Sequence, residues 1–510
     1  METANLKSFA FVTLLSLANL AFGQKPLSLV FNAKNFSHQE LTLNGKTIKV
    51  RAYENIIYVQ NPVDTAYQKL NIYVPEAYYQ GLSINGYTAA TAPIFFPNNV
   101  GGYMPAQPAK ARGNAPSGAM PAPPGGAPGQ TPAVPARPTR PNTVLEALAH
   151  GYVVASAGAR GRSLKDAIGK FTGKAPAGIV DLKAAVRYLV FNDKKMPGDA
   201  RKIISNGTSA GGAMSTLLGA TGNHPDYEPY LKALGAAKAT DHIFAVSAYC
   251  PIINLDNSDA AYEWQFEGIH TYKRGGPMQN NPPAAALSAE QIAVSQQLKV
   301  LFPAYLNGLK LKDKSGALLS LDKDGNGNFK EWIKSYLIAS AKKELDKGTD
   351  LSSFAFLSIS NGKVNALDYN AYIKYIERMK TPPAFDALDM TSPENNLFGT
   401  ATIPNLHFTS FAQEQSKAAS PLADPLLVKM MNPMHYIGTP QSATSKHWRI
   451  RHGAKDKDTS FAIPVMLATL LENKGYDVSL ELPWEKPHSG DYDLNELFAW
   501  IDGICKKGGK

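Results

Sequence analysis

A serine between two glycines is the first part of this sequence with the pattern of a reactive group. Gly207-Thr208-Ser209-Ala210-Gly211 has the spacing G-x-S-x-G, and it follows a predicted strand and opens a helix of small residues. In a nucleophile elbow of this spacing, the serine hydroxyl is exposed in a strained turn and the glycines leave room for neighbouring backbone. The Ala210 N–H then faces a developing oxyanion. The pattern predicts attack of Ser209 on an acyl carbon; the alternative is a glycine-rich turn that serves packing.

A serine nucleophile needs a histidine base and an acid, and both should follow Ser209 along the chain. His488 lies in the loop Pro487-His488-Ser489-Gly490, between a predicted strand and the last helix. His452 is the rival base, but it ends a strand and is interpreted as a packed structural histidine. Asp456 follows the preceding strand, 32 positions before His488, which leaves room for one helix and one strand. The alternative for Asp456 is an aspartate in a surface turn.

A second oxyanion donor is expected in the loop after the third core strand. The loop Asn99-Val100-Gly101-Gly102-Tyr103 stands there, and its glycines allow a backbone N–H to approach a substrate. Gly101 and Gly102 are both candidates, and the sequence does not choose between them.

Strands and helices that alternate along the chain must position these loops. Such alternation is typical of an α/β protein with a mostly parallel sheet covered by helices on both faces. Helices are predicted at residues 179–191, 461–473 and 494–504. Strands are predicted at residues 27–31, 46–51, 56–59, 70–75, 92–96, 152–156, 202–205, 243–249, 448–451 and 478–482.

Two segments interrupt this alternation. Residues 105–141 hold eleven prolines, five glycines and no acidic residue, a composition that predicts a mobile loop with polyproline II character near the active-site mouth. Residues 254–436 are polar and helical and lack buried strands, which indicates a large insertion into one sheet domain.

Composition and the N-terminus restrict the class of protein. The 510 residues are 44% hydrophobic, which excludes a disordered or fibrous chain. Two cysteines are too few for a disulfide scaffold or for a zinc or iron–sulfur site built from cysteines. Whether Cys250 and Cys505 pair is left open. The net charge of +10 includes no dense basic stripe with interleaved aromatics, so no nucleic-acid partner is expected. The N-terminus has the pattern of a signal peptide over residues 1–23, with Lys7, the apolar run 9–22 and the small residues of Ala21-Phe22-Gly23. This pattern predicts a periplasmic or secreted protein, and no later apolar run is long enough to span a membrane.

Several motifs together resemble those of bacterial tannases, the tannin acyl hydrolases. They are Asn206-Gly207-Thr208-Ser209-Ala210-Gly211-Gly212-Ala213-Met214-Ser215, Asp456-Lys457-Asp458-Thr459-Ser460, Pro487-His488-Ser489-Gly490, Arg378-Met379-Lys380-Thr381-Pro382-Pro383-Ala384-Phe385-Asp386 and Ser392-Pro393-Glu394-Asn395. The fungal tannase and feruloyl esterase group looks different, because it relies on several disulfides. The resemblance implies an α/β-hydrolase fold with a core of residues 24–253 and 437–510 and a substrate-binding insertion of residues 254–436.

The same resemblance implies site residues and a substrate. Ser209, Asp456 and His488 would form the triad, and Lys380, Glu394 and Asp458 would hold a galloyl ring. Carboxylates accept hydrogen bonds from phenol O–H groups and an ammonium donates to a phenol oxygen, so these types suit three neighbouring hydroxyls. The alternatives are ordinary: Glu394 in the first turn of a capped helix, Asp458 as a helix cap, and Lys380 as a solvated lysine.

The interpretation is a serine esterase that hydrolyses small-molecule galloyl ester and depside bonds of tannins and requires no cofactor. One rival is a feruloyl or general aryl-ester esterase with the same triad, and another is a non-catalytic binding protein.

A calcium-like loop lies in the insertion. Residues 322–329 place oxygen-bearing side chains at positions 1, 3 and 5 of an EF-hand pattern and glycine at position 6. Position 12 is Ile333, where a glutamate is expected, and Glu331 comes two residues early. The loop is either a structural calcium site or an Asx-rich turn before a helix; the candidate ligands are Asp322, Asp324, Asn326 and Asn328.

Overall fold

One nine-stranded sheet organises the computed structural model, which describes residues 26–112, 142–273 and 283–507. The strands are β1 Ser37–Leu43, β2 Lys46–Ile57, β3 Lys69–Pro75, β4 Pro93–Asn98, β5 Val153–Ala157, β6 Asp199–Thr208, β7 Ala245–Tyr249, β8 Thr271–Tyr272, β9 Ala285–Ala286, β10 Leu357–Ser360, β11 Lys363–Leu367, β12 His447–Arg451 and β13 Asp477–Glu481. The large sheet has the order β1-β2-β3-β5-β4-β6-β7-β12-β13. Its first four strands pair antiparallel, and β5, β4, β6, β7, β12 and β13 run parallel.

Helices cover both faces of this sheet. Every residue of β4, β5 and β7 is buried, and successive side chains of a strand point to opposite faces, so neither face is open to solvent there. The predicted α/β fold is confirmed. The helices are α1 Thr143–Ala149, α2 Ala177–Phe191, α3 Ala210–Ala220, α4 Glu228–Ala233, α5 Leu255–Phe266, α6 Ala289–Lys299, α7 Leu301–Gly308, α8 Asn328–Asp346, α9 Tyr369–Ile376, α10 Pro393–Leu397, α11 Ser410–Gln415, α12 Pro425–Met430, α13 Ala462–Asn473 and α14 Leu494–Lys507.

The segment between β7 and β12 holds α5 to α12 and also two small antiparallel sheets, β8–β9 and β10–β11, which the sequence analysis did not predict. The β10–β11 hairpin turns at Asn361-Gly362, where both residues have positive φ, 50° and 67°. Asn-Gly is the preferred dipeptide of such a two-residue turn. A local signal for this hairpin was therefore present in the sequence.

Two predictions about irregular segments need correction. Residues 27–31 form no strand, because the Asn192 side chain takes over their backbone bonding, accepting from Phe31 N and donating to Leu29 O. The start of the proline-rich segment is not a free loop, since Ala106 pairs with Ala159 and Ala109 N donates to Ser156 Oγ. The rest of that segment, residues 113–141, lies outside the described residues, as does the predicted signal peptide. Among the described residues, no helix is long and apolar enough to cross a membrane.

Candidate active site

Ser209 occupies the single residue between β6 and α3. Its backbone has φ 61° and ψ −124°, a combination that costs energy for any residue with a side chain and is characteristic of functional sites. The turn is tight: a Cβ atom at Gly207 would lie 2.4 Å from Gly211 O. Ser209 N donates to Tyr249 O at 3.0 Å, which fixes the turn to the end of β7. The sequence Gly-x-Ser-x-Gly therefore folds as a strained strand-to-helix elbow.

Asp456 and His488 form a direct pair, with Asp456 Oδ2 2.8 Å from His488 Nδ1. Since an ionised carboxylate can only accept, Nδ1 carries the proton and Nε2 keeps a free lone pair. Burial opposes ionisation of Asp456, but the His488 and His452 rings lower its pKa below the ordinary value. Burial also opposes the charged form of His488 and so lowers its pKa, but the neighbouring Asp456 carboxylate has the larger effect, and the pKa of His488 is raised above its ordinary value. The pair thus orients the imidazole and favours its protonated form.

Close approaches between neighbouring segments bring the loops of Ser209, Asp456 and His488 together. A Cβ at Gly490 would lie 1.9 Å from Thr208 Oγ1, so the His488 loop passes directly over the residue before Ser209. A Cβ at Gly453 would lie 2.0 Å from Lys486 O, so the Asp456 and His488 loops cross at their bases. The rival base, His452, is fully buried with neither ring nitrogen hydrogen-bonded among the described residues, which fits a packed histidine.

The β4 end lies against the start of α3, where the oxyanion donors were predicted. A Cβ at Gly211 would lie 2.9 Å from the carbonyl oxygens of both Asn98 and Val100. The next residues, Gly101 and Gly102, therefore follow a strand end that touches the elbow. Arg162 Nε donates to Gly102 O at 2.8 Å and holds this loop.

The three residues assigned to ring binding lie in one charged group beside His488. Lys380 Nζ is 3.5 Å from Asp458 Oδ1, and Asp458 Oδ2 is 3.7 Å from His488 Nδ1. Lys380 Nζ also lies 3.9 Å from the centre of the Phe385 ring. Residues far apart in sequence thus meet beside His488.

Glu394 completes this group from α10. Its side chain is buried, and burial raises its pKa although Lys380 and Arg162 act in the opposite direction. Ser392 caps α10 with a capping box to Asn395 and Pro393 stands at the first turn, so the ordinary helix-start reading of this motif also holds. The helix start and the buried carboxylate are two properties of one segment.

The structure does not support the ordinary interpretations of the other two residues, Asp458 as a helix cap and Lys380 as a solvated lysine. Asp458 does not cap a helix: α13 begins at Ala462, whose N–H donates to Ser460 Oγ. Lys380 is not a solvated lysine, because its side chain is 21% exposed and ion-paired.

Comparisons with known proteins relate the whole chain to solved structures. A family model described as BD-FAE matches residues 132–299, and a search of curated proteins finds no match. The chain is 49% identical to a tannin acyl hydrolase from Lactobacillus plantarum, with a TM-score of 0.85 over 94% of this chain and 99% of that one. The chain belongs to the tannase family. A tannase from Fusobacterium nucleatum is 48% identical, with a TM-score of 0.85 over 94% of this chain and 99% of that one. A tannin acyl hydrolase in complex with ethyl gallate is 48% identical, with a TM-score of 0.84 over the same shares.

As a member of the tannase family, the protein is a carboxylic-ester hydrolase of α/β-hydrolase fold.

Its site contains residues that the sequence analysis did not select. Tyr262 Oη accepts from Met379 N and Lys380 N and donates to Lys457 O, so one hydroxyl ties the Lys380 and Asp458 segments together. Nothing in the α5 sequence distinguishes Tyr262 from an ordinary core tyrosine.

The two cysteines of this tannase-family chain are both free thiols. Cys505 is buried in α14. Cys250 follows β7 and is fully buried, and burial raises the pKa of its thiol to about 11. Cys250 could not be placed beside His488 from the sequence, because Arg451 and Ser489, which it contacts there, lie more than 200 residues further along the chain.

The calcium-like loop is held by protein contacts. Asp322 Oδ1 accepts from Asp324 N and Asn326 N, the bonding of an Asx turn. Asn328 begins α8 and its side chain donates to Leu318 O. Ile333, at the twelfth position, is buried in the core. Calcium binding therefore stays a prediction.

Proposed function

We propose that this protein hydrolyses galloyl ester and depside bonds and releases gallate. The observation that carries the proposal is the charged group of Lys380, Glu394 and Asp458 beside the His488–Asp456 pair. A ring held by these residues would place its ester carbonyl toward the triad. The ethyl gallate complex of a 48% identical tannin acyl hydrolase supports the same substrate class.

The triad chemistry follows from the hydrogen bonding of His488. Nε2 accepts the Ser209 proton while Ser209 Oγ attacks the ester carbon, and Asp456 stabilises the imidazolium that forms. The carbonyl oxygen becomes negative and accepts from Ala210 N–H and from Gly101 or Gly102 N–H. The intermediate collapses, His488 returns its proton to the leaving alcohol, and an acyl-enzyme remains on Ser209. Water, deprotonated by His488, then attacks the acyl-enzyme, and the proton on His488 passes to Ser209 Oγ as gallate leaves.

Ring recognition follows from the charges. Asp458 and Glu394 accept hydrogen bonds from phenol hydroxyls, and Lys380 donates to a phenol oxygen. A buried carboxylate without its hydrogen-bond partner is costly, so a ring without hydroxyls is rejected by Glu394 in particular.

The test compares methyl esters of gallate, protocatechuate and ferulate. We expect kcat/KM to fall from gallate to protocatechuate to ferulate, because each step removes or blocks a hydroxyl. An equal or higher value for ferulate would favour the feruloyl or general aryl-ester alternative. Labelling by a fluorophosphonate in wild type but not in Ser209→Ala excludes a non-catalytic binding protein.

Export is a further part of the proposal. It is supported by Lys7, the apolar run 9–22 and the small residues before Gln24. N-terminal sequencing of the protein recovered from the periplasm or medium should begin at Gln24. Recovery of the uncleaved chain from the cytoplasm alone would contradict export.

We also infer that hydrolysis requires no cofactor, because each step above uses a group of this chain. Calcium, if bound at residues 322–328, would be structural. Dialysis against EGTA should therefore leave kcat/KM on methyl gallate unchanged, and a loss restored by added Ca²⁺ would contradict this inference.

A further inference from the structure

A thiol lies against the triad, in a position for which the hydrolysis above has no use. Cys250 Sγ, a carboxylate oxygen of Asp456 and a ring nitrogen of His488 all lie within 4.8 Å of one another. Nδ1 is the His488 nitrogen that faces Asp456, at 2.8 Å from Oδ2. The place of the thiol is fixed by the backbone: Cys250 has φ 44°, and its N–H donates to Arg451 O at 2.7 Å. Its Sγ lies 3.4 Å from Ser489 O, in the residue next to His488.

Thiol, imidazole and carboxylate are together the ligand set of a thiophilic divalent ion. Zinc takes sulfur at about 2.3 Å and nitrogen or oxygen at about 2.0–2.2 Å in tetrahedral geometry. Ligand atoms around such an ion are therefore roughly 3–4 Å apart, close to the arrangement already present. A thiolate and a carboxylate also neutralise a dication, which makes its burial between Cys250 and Asp456 tolerable.

We propose that Cys250, Asp456 and His488 form an inhibitory site for thiophilic divalent cations such as Zn²⁺ and Cd²⁺. The inference rests on the proposed triad. The ion binds the lone pair of His488 Nδ1, the Nδ1 proton moves to Nε2, and the Cys250 thiol proton leaves to solvent as Sγ binds. Nε2 then carries a proton and cannot accept the one from Ser209. The same ion coordinates the Asp456 oxygen that accepted the hydrogen bond from His488 Nδ1. His488 can then no longer act as the base, and Asp456 can no longer orient it.

His488 is the member of this site that solvent reaches. Its side chain is 23% exposed, whereas Cys250 and Asp456 are fully buried. An ion that enters the active site therefore meets the imidazole first and reaches the sulfur after it. Substrate on Ser209 should slow this entry, since it occupies the same mouth.

The experiment titrates CdCl₂ into the full-length protein and measures both the thiolate–cadmium charge-transfer absorption and methyl gallate hydrolysis. We expect one Cd²⁺ per chain, inhibition that follows the absorption, and recovery with EDTA. In Cys250→Ala the half-inhibitory concentration, relative to that variant's own uninhibited rate, should rise at least about 100-fold, since even outer-shell partners of metal ligands contribute 10–100-fold. Cys505→Ala is the matched control, because it removes the other thiol of the chain, and it should respond as wild type does.

Two further variants separate the possible failures. Cys250→Ser keeps the size of the side chain, and it should lose the charge-transfer band even if Cys250→Ala fails to fold. Ser209→Ala should bind Cd²⁺ with the wild-type absorption, so binding there without any esterase activity tests the metal site independently of the proposed function. The proposal would be overturned if Cys250→Ala or Cys250→Ser kept the wild-type charge-transfer band and half-inhibitory CdCl₂ concentration. It would also be overturned if Cys505→Ala lost the band and the inhibition to the same extent as the Cys250 variants.

Discussion

Replacing Glu394 by glutamine separates ring recognition from catalysis. The substitution keeps the size of the side chain and removes the buried negative charge that phenol hydroxyls are proposed to satisfy. Loss of a hydrogen bond to a charged partner costs about 1.5–3 kcal/mol, which corresponds to roughly 10- to 150-fold in kcat/KM. That loss is expected on methyl gallate. On phenyl acetate, whose ring lies on the alcohol side of the ester and has no hydroxyls, kcat/KM should change little. Glu394 lies on α10, and of the three proposed ring-binding residues it is Asp458 whose carboxylate lies 3.7 Å from His488 Nδ1.

The contrast with Asp458 sharpens this prediction. Asp458 Oδ2 is 3.7 Å from His488 Nδ1, so Asp458→Asn should lower kcat/KM on both esters. Glu290→Gln is the matched control for a lost glutamate charge, since its side chain is 76% exposed in the same insertion. Initial rates by spectrophotometry, with circular dichroism to check folding, are sufficient. Equal losses on both esters in Glu394→Gln would refute the reasoning and assign Glu394 a purely structural role in α10.

Two other predictions concern the pH profile and a positioning residue. Because Asp456 raises the pKa of His488, and the base must be neutral, the acid limb of kcat/KM should lie above the ordinary histidine value of about 6.5; in Asp456→Asn it should move to lower pH. An unmoved limb would mean that another group titrates. Tyr262→Phe should raise KM for methyl gallate roughly tenfold with a smaller effect on phenyl acetate, since it frees the Lys380 and Asp458 segments and each neutral hydrogen bond contributes about 0.5–1.5 kcal/mol. A change in thermal stability without a change in KM would contradict that role.

Local sequence was sufficient for the parts of the site that local structure builds. The elbow could be predicted because its spacing is a local pattern and because Gly207 is required by a contact within the turn itself, with Gly211 O. Asp456 and His488 could be selected because each follows a strand whose apolar pattern is clear. The sheet core was predictable for the same reason, since strands such as β7 are continuous apolar runs.

Contacts over long distances in sequence were not predictable from pattern alone. Lys380 and Glu394 were selected through a family resemblance, because their meeting depends on how the insertion folds over the core. Tyr262 and Cys250 have the sequence surroundings of core residues, and only the structure shows which loops they touch. The strand predicted at residues 27–31 was wrong for the same reason. The backbone there bonds to the side chain of Asn192, more than 150 residues away, and not to a neighbouring strand.

Turnover of methyl gallate by Ser209→Ala beside wild type tests the central claim most directly. Ser209 is half-buried in the elbow, and its replacement by alanine should leave the melting temperature and the far-ultraviolet circular dichroism unchanged. We predict that wild type releases gallate and that kcat in Ser209→Ala falls by about 10³-fold or more, as removal of a triad member does in serine hydrolases. Near-normal gallate release by a folded Ser209→Ala protein would contradict the account.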